Sequence, residues 1–373
     1  MFGSVSNPQA RLPKFRQLPK KCPDGRRALA DLVPLDANNR ALVGAGLRRL
    51  RAGRGVAGLH ALIEVSGREP EKLGASDVGF ALAPRINAAG RLEDMGVGIE
   101  CLLTDDPARA RDLAEVLHRI NAERRGVQEQ MVQEAEAAVA GVSLMEEVPP
   151  ALCLHDPGWH PGVVGLVASK IKDRLHRPTI AFAPSEPGSP SLRGSARSIR
   201  GFHIRDALAA IYTARPGLIG RFGGHAMAAG LSLDETDLPA FREAFVAYAA
   251  AQLGPEQLQA EILSDGELAP QELDRFHAEA IRDGGPWGQG FPEPLFDGEF
   301  DVLDWRVLQE RHLKLQLQLP GQAGTVNAMH FGGWSGEAPA PRLRLAYRLV
   351  PDDYRGGGAI QLLVEHRQRV SPP

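Results

Sequence analysis

The longest uninterrupted pattern in the chain runs from Asp106 to about residue 140, and it constrains everything on either side. Asp106-Pro107 sets a carboxylate where the first free N–H groups of a helix need an acceptor, with proline at the first helical position. Apolar residues then recur at Ala110, Leu113, Leu117, Ile120, Val127 and Met131, in steps of three and four broken at Arg124. Such a helix is roughly 50 Å long at ~1.5 Å per residue. With charge around its other faces it has the pattern of a connector between lobes. Glu147-Val148-Pro149-Pro150 ends it.

The chain after this helix changes texture twice. Residues 151–155 read as a short strand, 161–175 as a helix, 178–183 and 192–198 as strands and 205–213 as a helix. A strand at 226–233 and a helix at 238–253 follow. Alternating strands and helices predict a layered α/β domain. After Gly254-Pro255, Leu313, Leu315, Leu317 and Leu319 alternate with Lys314, Gln316 and Gln318. Leu343, Leu345 and Tyr347 alternate with Arg344 and Arg348. Period-two alternation between glycine-rich loops predicts a half-buried antiparallel sheet closed into a small barrel. Arg342, Arg344, Arg348 and Arg355 add positive charge to that barrel. Before the long helix, residues 29–103 read as short helices. Residues 1–28, with Pro8, Pro13, Pro19 and Pro23 among basic and polar residues, read as extended or disordered. The expected fold is therefore α/β multidomain, divided at 1–28, 29–103, 104–148, 149–254 and 255–373.

Composition narrows the function classes. A length of 373 residues fits two or three domains, and 43% hydrophobic with 24% charged residues is ordinary for a soluble globular protein. The net charge of -3 conceals a basic end. Between Met1 and His60 the chain carries Arg or Lys at twelve positions against Asp24, Asp31 and Asp36 alone. A polyanion partner and a solvated terminus both explain this. Cys22, Cys101 and Cys153 are too far apart for a local zinc site and suit a reducing cytoplasm. No apolar run approaches the ~20 residues that cross a bilayer, so a cytoplasmic location is expected.

Four segments carry residue types that hold phosphates. Gly223-Gly224-His225, after Arg221, strips the backbone bare and then supplies a titratable ring; a plain turn is the competing explanation. Arg85, Asn87 and Arg91 lie in Ala83-Pro84-Arg85-Ile86-Asn87-Ala88-Ala89-Gly90-Arg91, where two guanidinium forks and an amide suit one anion. His160, in Trp159-His160-Pro161-Gly162-Val163-Val164-Gly165, stands at the start of the predicted helix, where free N–H groups attract anions. In Arg193-Gly194-Ser195-Ala196-Arg197-Ser198 a strand would put Ser195 and Arg197 on one face. Asp31, leading Leu32-Val33-Pro34-Leu35, is an N-cap or a metal ligand that lacks local partners.

Taken in order, these segments, with Asn39-Arg40 near the start and Gly285-Pro286-Trp287-Gly288 and Phe296-Asp297-Gly298 near the end, form a recognisable set. From about Asp31 to Val370 the chain resembles the C-terminal two thirds of the RecJ-type single-stranded-DNA-specific exonucleases, in the DHH phosphoesterase superfamily. The resemblance implies a helical remnant of a DHH lobe, a connecting helix, a DHHA1 domain and an OB-like barrel. It also implies metal-dependent hydrolysis of single-stranded DNA from the 5′ end, with two Mn2+ or Mg2+ ions, in DNA repair and recombination. Single-stranded DNA and other DNA-repair proteins are the partners it implies. Asp31 then stands at one metal-ligand position, and Arg85, Asn87, Arg91, His160, Ser195, Arg197, Gly223, Gly224 and His225 at substrate- and phosphate-binding ones. No Asp-His-His motif occurs in the sequence, so no catalytic residue is assigned. The expectation is a truncated or frameshifted product, or a fragment, that keeps the substrate-binding half and is inactive alone. Two rivals stand beside it. One is a non-catalytic single-strand-binding module. The other is a phosphoesterase of short oligonucleotides or cyclic dinucleotides, against which the barrel speaks, since long strands need an extended groove.

Overall fold

The structure is a computed structural model and describes residues 33–143, 148–321, 324–352 and 358–370. Asp31, Arg355 and the basic stretch 1–28 lie outside the described residues. The chain divides into two compact units: Arg85–Glu261, and the described residues up to Pro84 together with those from Ile262 onward.

Along the chain, α1 (Ala37–Arg51) and α2 (Ala57–Val65) lead through shorter helical turns to α3 (Ala83–Leu92) and α4 (Gly96–Leu103). The long predicted helix is α5, Pro107–Ser143. Asp106 Oδ1 accepts from the Ala108 N–H at 2.9 Å, the capping contact that its sequence calls for. Ala110, Leu113, Ala114 and Leu117 are buried in its first half, while Met131, Ala135 and Val139 pack into the α/β core in its second. Between these stretches the helix buries polar groups, Asn121 and Arg124.

The α/β domain is built on one five-stranded sheet. Its strands are β1 (Leu152–His155), β2 (Thr179–Pro184), β3 (Ser191–Arg197), β4 (Arg221–Gly224) and β5 (Ala228–Asp234), ordered β1-β2-β3-β5-β4. Only β1 and β2 run parallel. α6 (Val164–Leu175) packs on one face with α5, against Leu152, Leu154, Ala181 and Ala183. α7 (Ile204–Ala214) and α8 (Leu238–Gln252) cover the other, where Phe182, Leu192, Leu231, Phe241 and Phe245 form the core. The sheet has no room for a side chain at Gly194: a Cβ there would lie 2.5 Å from the Phe182 ring and 2.6 Å from Leu231.

Two local expectations are corrected. α6 begins at Val164 rather than Pro161, because the preceding residues are tied into turns. The Gly162 N–H donates to His160 Nδ1 at 3.1 Å and the Val163 N–H to the His160 carbonyl at 3.0 Å. Gly223 and Gly224 lie in the edge strand β4, and the turn comes after them, closed by the His225 N–H on the Ala228 carbonyl at 2.8 Å. A four-residue strand with two glycines carries no period-two signal to read. Gly224 itself is required, since its φ is 148° and a Cβ would collide with the Ala228 carbonyl.

In the other unit, β6 (Phe296–Leu308), β7 (His312–Gln318), β8 (Thr325–His330), β9 (Arg342–Pro351) and β10 (Ile360–Arg369) follow α9 (Arg275–Gly284) and close a barrel in the order β10-β8-β7-β6-β9. The predicted alternation is the inside-outside pattern: Leu313, Leu315, Leu317, Leu343, Leu345 and Tyr347 are buried in its core. The same unit explains two motifs by pairing them. The Leu35 N–H donates to the Gln289 carbonyl at 2.6 Å, and the Arg40 guanidinium lies 3.6 Å from the Phe291 ring centre. Phe291 in turn stacks on Trp287 at 4.9 Å. Among the described residues no helix is long and apolar enough to cross a membrane.

The Gly194 contacts generate a stability prediction. Gly194→Ala overpacks the sheet and should lower stability by about 1–3 kcal/mol. Gly223→Ala, where nothing lies within 4 Å of the added Cβ, should change it by well under that amount. Urea unfolding of the two variants beside the wild type measures the difference; equal midpoints would contradict the packing argument.

Candidate functional site

The site grows from three elements of the Arg85–Glu261 unit. α3 carries Arg91, α5 carries Arg124, and β3 carries Ser195 and Arg197. Burial holds the Arg91 guanidinium below arginine's usual range. Burial does the same to Arg197, with the positive charge of Arg91 as the second cause. Arg124 is lowered by burial first, then by the charges of Arg91 and Arg125. None of the three has a carboxylate partner among the described residues. Arg124 is only 9% exposed, and its Nη1 and Nη2 each donate to a neutral oxygen: Gln128 Oε1 at 2.7 Å and Asn121 Oδ1 at 3.1 Å. Its Nε is buried without a hydrogen-bond partner. Arg197 Nη1 donates to Ser195 Oγ at 3.0 Å and to the Ala196 carbonyl at 2.8 Å. Buried or half-buried cations without an acid partner are costly, and an anion from outside is the group that would balance them.

The segment 159–165 holds these walls together. Trp159 is 5% exposed, and its indole N–H donates to Glu134 Oε2 on α5 at 2.8 Å. Gly162 sits so close to the Arg91 carbonyl that any Cβ would collide with it. A Cβ at Gly165 would lie 2.8 Å from Ser195 Oγ and 2.9 Å from Arg197 Nη2. The two glycines let one turn press on α3 and the next on β3. His160 lies at this turn, exposed, with Nδ1 accepting from Gly162.

Strand register extends the site across the sheet. Ser195 pairs with Gly230, which pairs with Gly223, so these three share one face and one row. Nothing lies within 4 Å of a Cβ on Gly223, and only the Gly194 carbonyl, at 3.9 Å, near one on Gly230. The backbone beside Ser195 is thus bare and open. In the next row Arg193 pairs with Ser232 and Ser232 with Arg221, placing two exposed arginines on the same face without an acidic partner among the described residues. His225 is exposed just past the end of β4.

The structure therefore brings Arg91, Ser195 and Arg197 together and sets Gly223, Gly224 and His225 along the adjoining sheet. Asn87 shares a helix face with Arg91, one turn earlier. Arg85 goes elsewhere: it is 7% exposed, with its Nε 3.3 Å from His118 Nδ1. Sequence reasoning did not assign Arg124, Asn121 or Gln128, although the break at Arg124 in an otherwise regular apolar stripe marks them. Asp31 cannot be placed, since it lies outside the described residues. Among the described residues no three His, Cys, Asp or Glu side chains gather to hold a metal ion. The described site gathers guanidinium groups and no set of metal-ligating side chains.

Comparison with known proteins agrees with this layout. Residues 138–251 match the DHHA1 domain family and residues 264–366 the RecJ OB domain family. The chain is 47% identical over 343 residues to the single-stranded-DNA-specific exonuclease RecJ of Dickeya dadantii, covering 91% of this chain and 59% of that protein. For the Escherichia coli protein of the same name the identity is 45% over 342 residues, with the same coverage. Among solved structures, RecJ from Thermus thermophilus in complex with Mg2+ superposes with a TM-score of 0.78 at 32% identity, covering 97% of this chain and 54% of that one. Its complex with Mn2+ gives 0.77. The chain thus spans about three fifths of the length of these curated relatives and, over that part, is related to the RecJ exonucleases, with a DHHA1 domain followed by a RecJ OB domain.

Proposed function

We propose that this chain holds single-stranded DNA for 5′-to-3′ exonucleolytic hydrolysis of the RecJ type, and that Arg91, Arg124, Ser195 and Arg197 grip the 5′-terminal phosphate. The observation that carries the reading is geometric: the turn through Gly162 and Gly165 joins Arg91 to Ser195 and Arg197, and neither these arginines nor Arg124 has a carboxylate partner among the described residues. A terminal phosphate monoester bears more charge than a diester in the chain and offers three oxygens to planar donors. The open row Ser195–Gly230–Gly223 lets a strand approach the backbone closely, while Arg193 and Arg221 lie where its following phosphates would pass. His225 would line the same path.

In this reading water activation and charge stabilisation would be the chemistry of bound Mn2+ or Mg2+, with Asp31 the one residue in the sequence assigned to hold it. The described residues offer the ions no ligand set, so their own part ends with binding and orienting the strand. The same observation favours a second reading, a single-strand-binding module without hydrolysis.

Two outcomes are expected. Arg197→Ala removes a charge-assisted contact worth about 1.5–3 kcal/mol, or roughly ten- to a hundred-fold in affinity for a 5′-phosphorylated oligonucleotide. The loss should be much smaller for the 5′-hydroxyl strand; equal losses would remove the terminal phosphate from the reading. The purified 373-residue chain should degrade single-stranded DNA little or not at all when supplied with Mn2+. Robust Mn2+-dependent degradation that Asp31→Ala abolishes would overturn that expectation and the binding-module reading with it.

A further inference from the structure

Glu134 on α5 is an exposed carboxylate that makes no ion pair among the described residues. Glu136, on the same helix, shows the usual alternative, a salt bridge to Arg174 of α6. The positions one turn to either side of Glu134 are Gln130 and Ala138, which offer it no cation. Both of its oxygens accept from neutral donors instead. Gln130 Nε2 reaches Oε1 at 3.0 Å, and the Trp159 indole N–H reaches Oε2 at 2.8 Å. The second of these is a charge-assisted bond between segments far apart in sequence.

Trp159 is buried in the α/β core with Met131, Ala135 and Val163, and a buried indole N–H has to find an acceptor. The apolar contacts around its ring have no preferred direction, whereas a hydrogen bond to a carboxylate fixes how the ring is turned. The chain that follows transmits this placement. The Gly162 N–H is bound to His160 Nδ1 and the Val163 N–H to the His160 carbonyl, so the turn moves as one piece. It has no slack where it meets the grip. A Cβ on Gly162 would lie 2.1 Å from the Arg91 carbonyl, and one on Gly165 2.8 Å from Ser195 Oγ. A small shift at Trp159 therefore falls on the spacing between Arg91 and the Ser195–Arg197 pair.

We propose that Glu134 is a positioning residue for the phosphate grip. Through the Trp159 indole it holds the 159–165 turn between α3 and β3, and so sets the separation of Arg91 from Ser195 and Arg197. The proposal rests on the reading that these residues hold a 5′-terminal phosphate.

The test measures, for the full chain, the ratio of affinities for 5′-phosphorylated and 5′-hydroxyl thymidine oligonucleotides of one length. Glu134→Leu leaves the indole without its acceptor and should lower that ratio roughly five-fold or more, chiefly through the phosphorylated strand. Glu134→Gln keeps an acceptor oxygen and should restore most of the ratio. Trp159→Phe removes the N–H while keeping an aromatic ring, and should reproduce the loss. The double variant Glu134→Leu/Trp159→Phe should lose no more than either single one, because both act through one bond. Glu136→Gln, which weakens an ion pair on the same helix away from the turn, should keep the wild-type ratio. An unchanged ratio in Glu134→Leu, a Glu134→Gln as impaired as Glu134→Leu, or additive losses in the double variant would overturn the proposal while leaving the phosphate grip standing. A wild-type chain that does not distinguish the two strands would overturn both.

Discussion

Positive charge placed where none of the described residues offers an acid to balance it is the constraint around which the Arg85–Glu261 unit is arranged. Arg91, Arg124 and Arg197 come from a short helix, a long helix and a strand, and each is depressed by burial, the latter two also by Arg91. Assembling them costs stability twice, through desolvation and through repulsion. Natural proteins accept such local costs where a ligand later offsets them. The surrounding architecture is what makes the arrangement tolerable. Gln128, Asn121, Ser195 and the Ala196 carbonyl satisfy individual N–H groups without cancelling the charge.

Glycine placement converts that charge into a site. Gly162 and Gly165 allow the turn after Trp159 to touch both α3 and β3, which fixes the distance between Arg91 and the Ser195–Arg197 pair. Gly223 and Gly230 do the opposite, leaving the sheet beside Ser195 uncovered. The first pair are needed because something is near, the second because nothing is.

Much of this was legible before any coordinates. Asp106-Pro107 and the apolar steps after it announced α5, and the leucine alternation announced the barrel's inner face. The Ser195/Arg197 face followed from strand periodicity alone. What was not legible depends on contacts between distant segments. The helical position of Arg85 and Arg91 sends them to different neighbours, although they flank one asparagine in sequence. Arg124 was visible only as a gap in a stripe, because its role is set by α3 and β3. Arg342 and Arg344 on β9 give up their apparent freedom to Glu299 and Asp297 on β6, a pairing that register creates and composition conceals.

The most direct test of the central claim is the thermal stability of Arg91→Met, measured with and without a 5′-phosphorylated oligonucleotide. Methionine keeps much of the apolar stem and removes the charge. If unbalanced charge is what the site stores for its ligand, the free variant melts at the wild-type temperature or above, and the rise that the oligonucleotide gives the wild type disappears. A variant that melts well below the wild type yet keeps the full ligand-induced rise would show that Arg91 serves packing and would contradict the account.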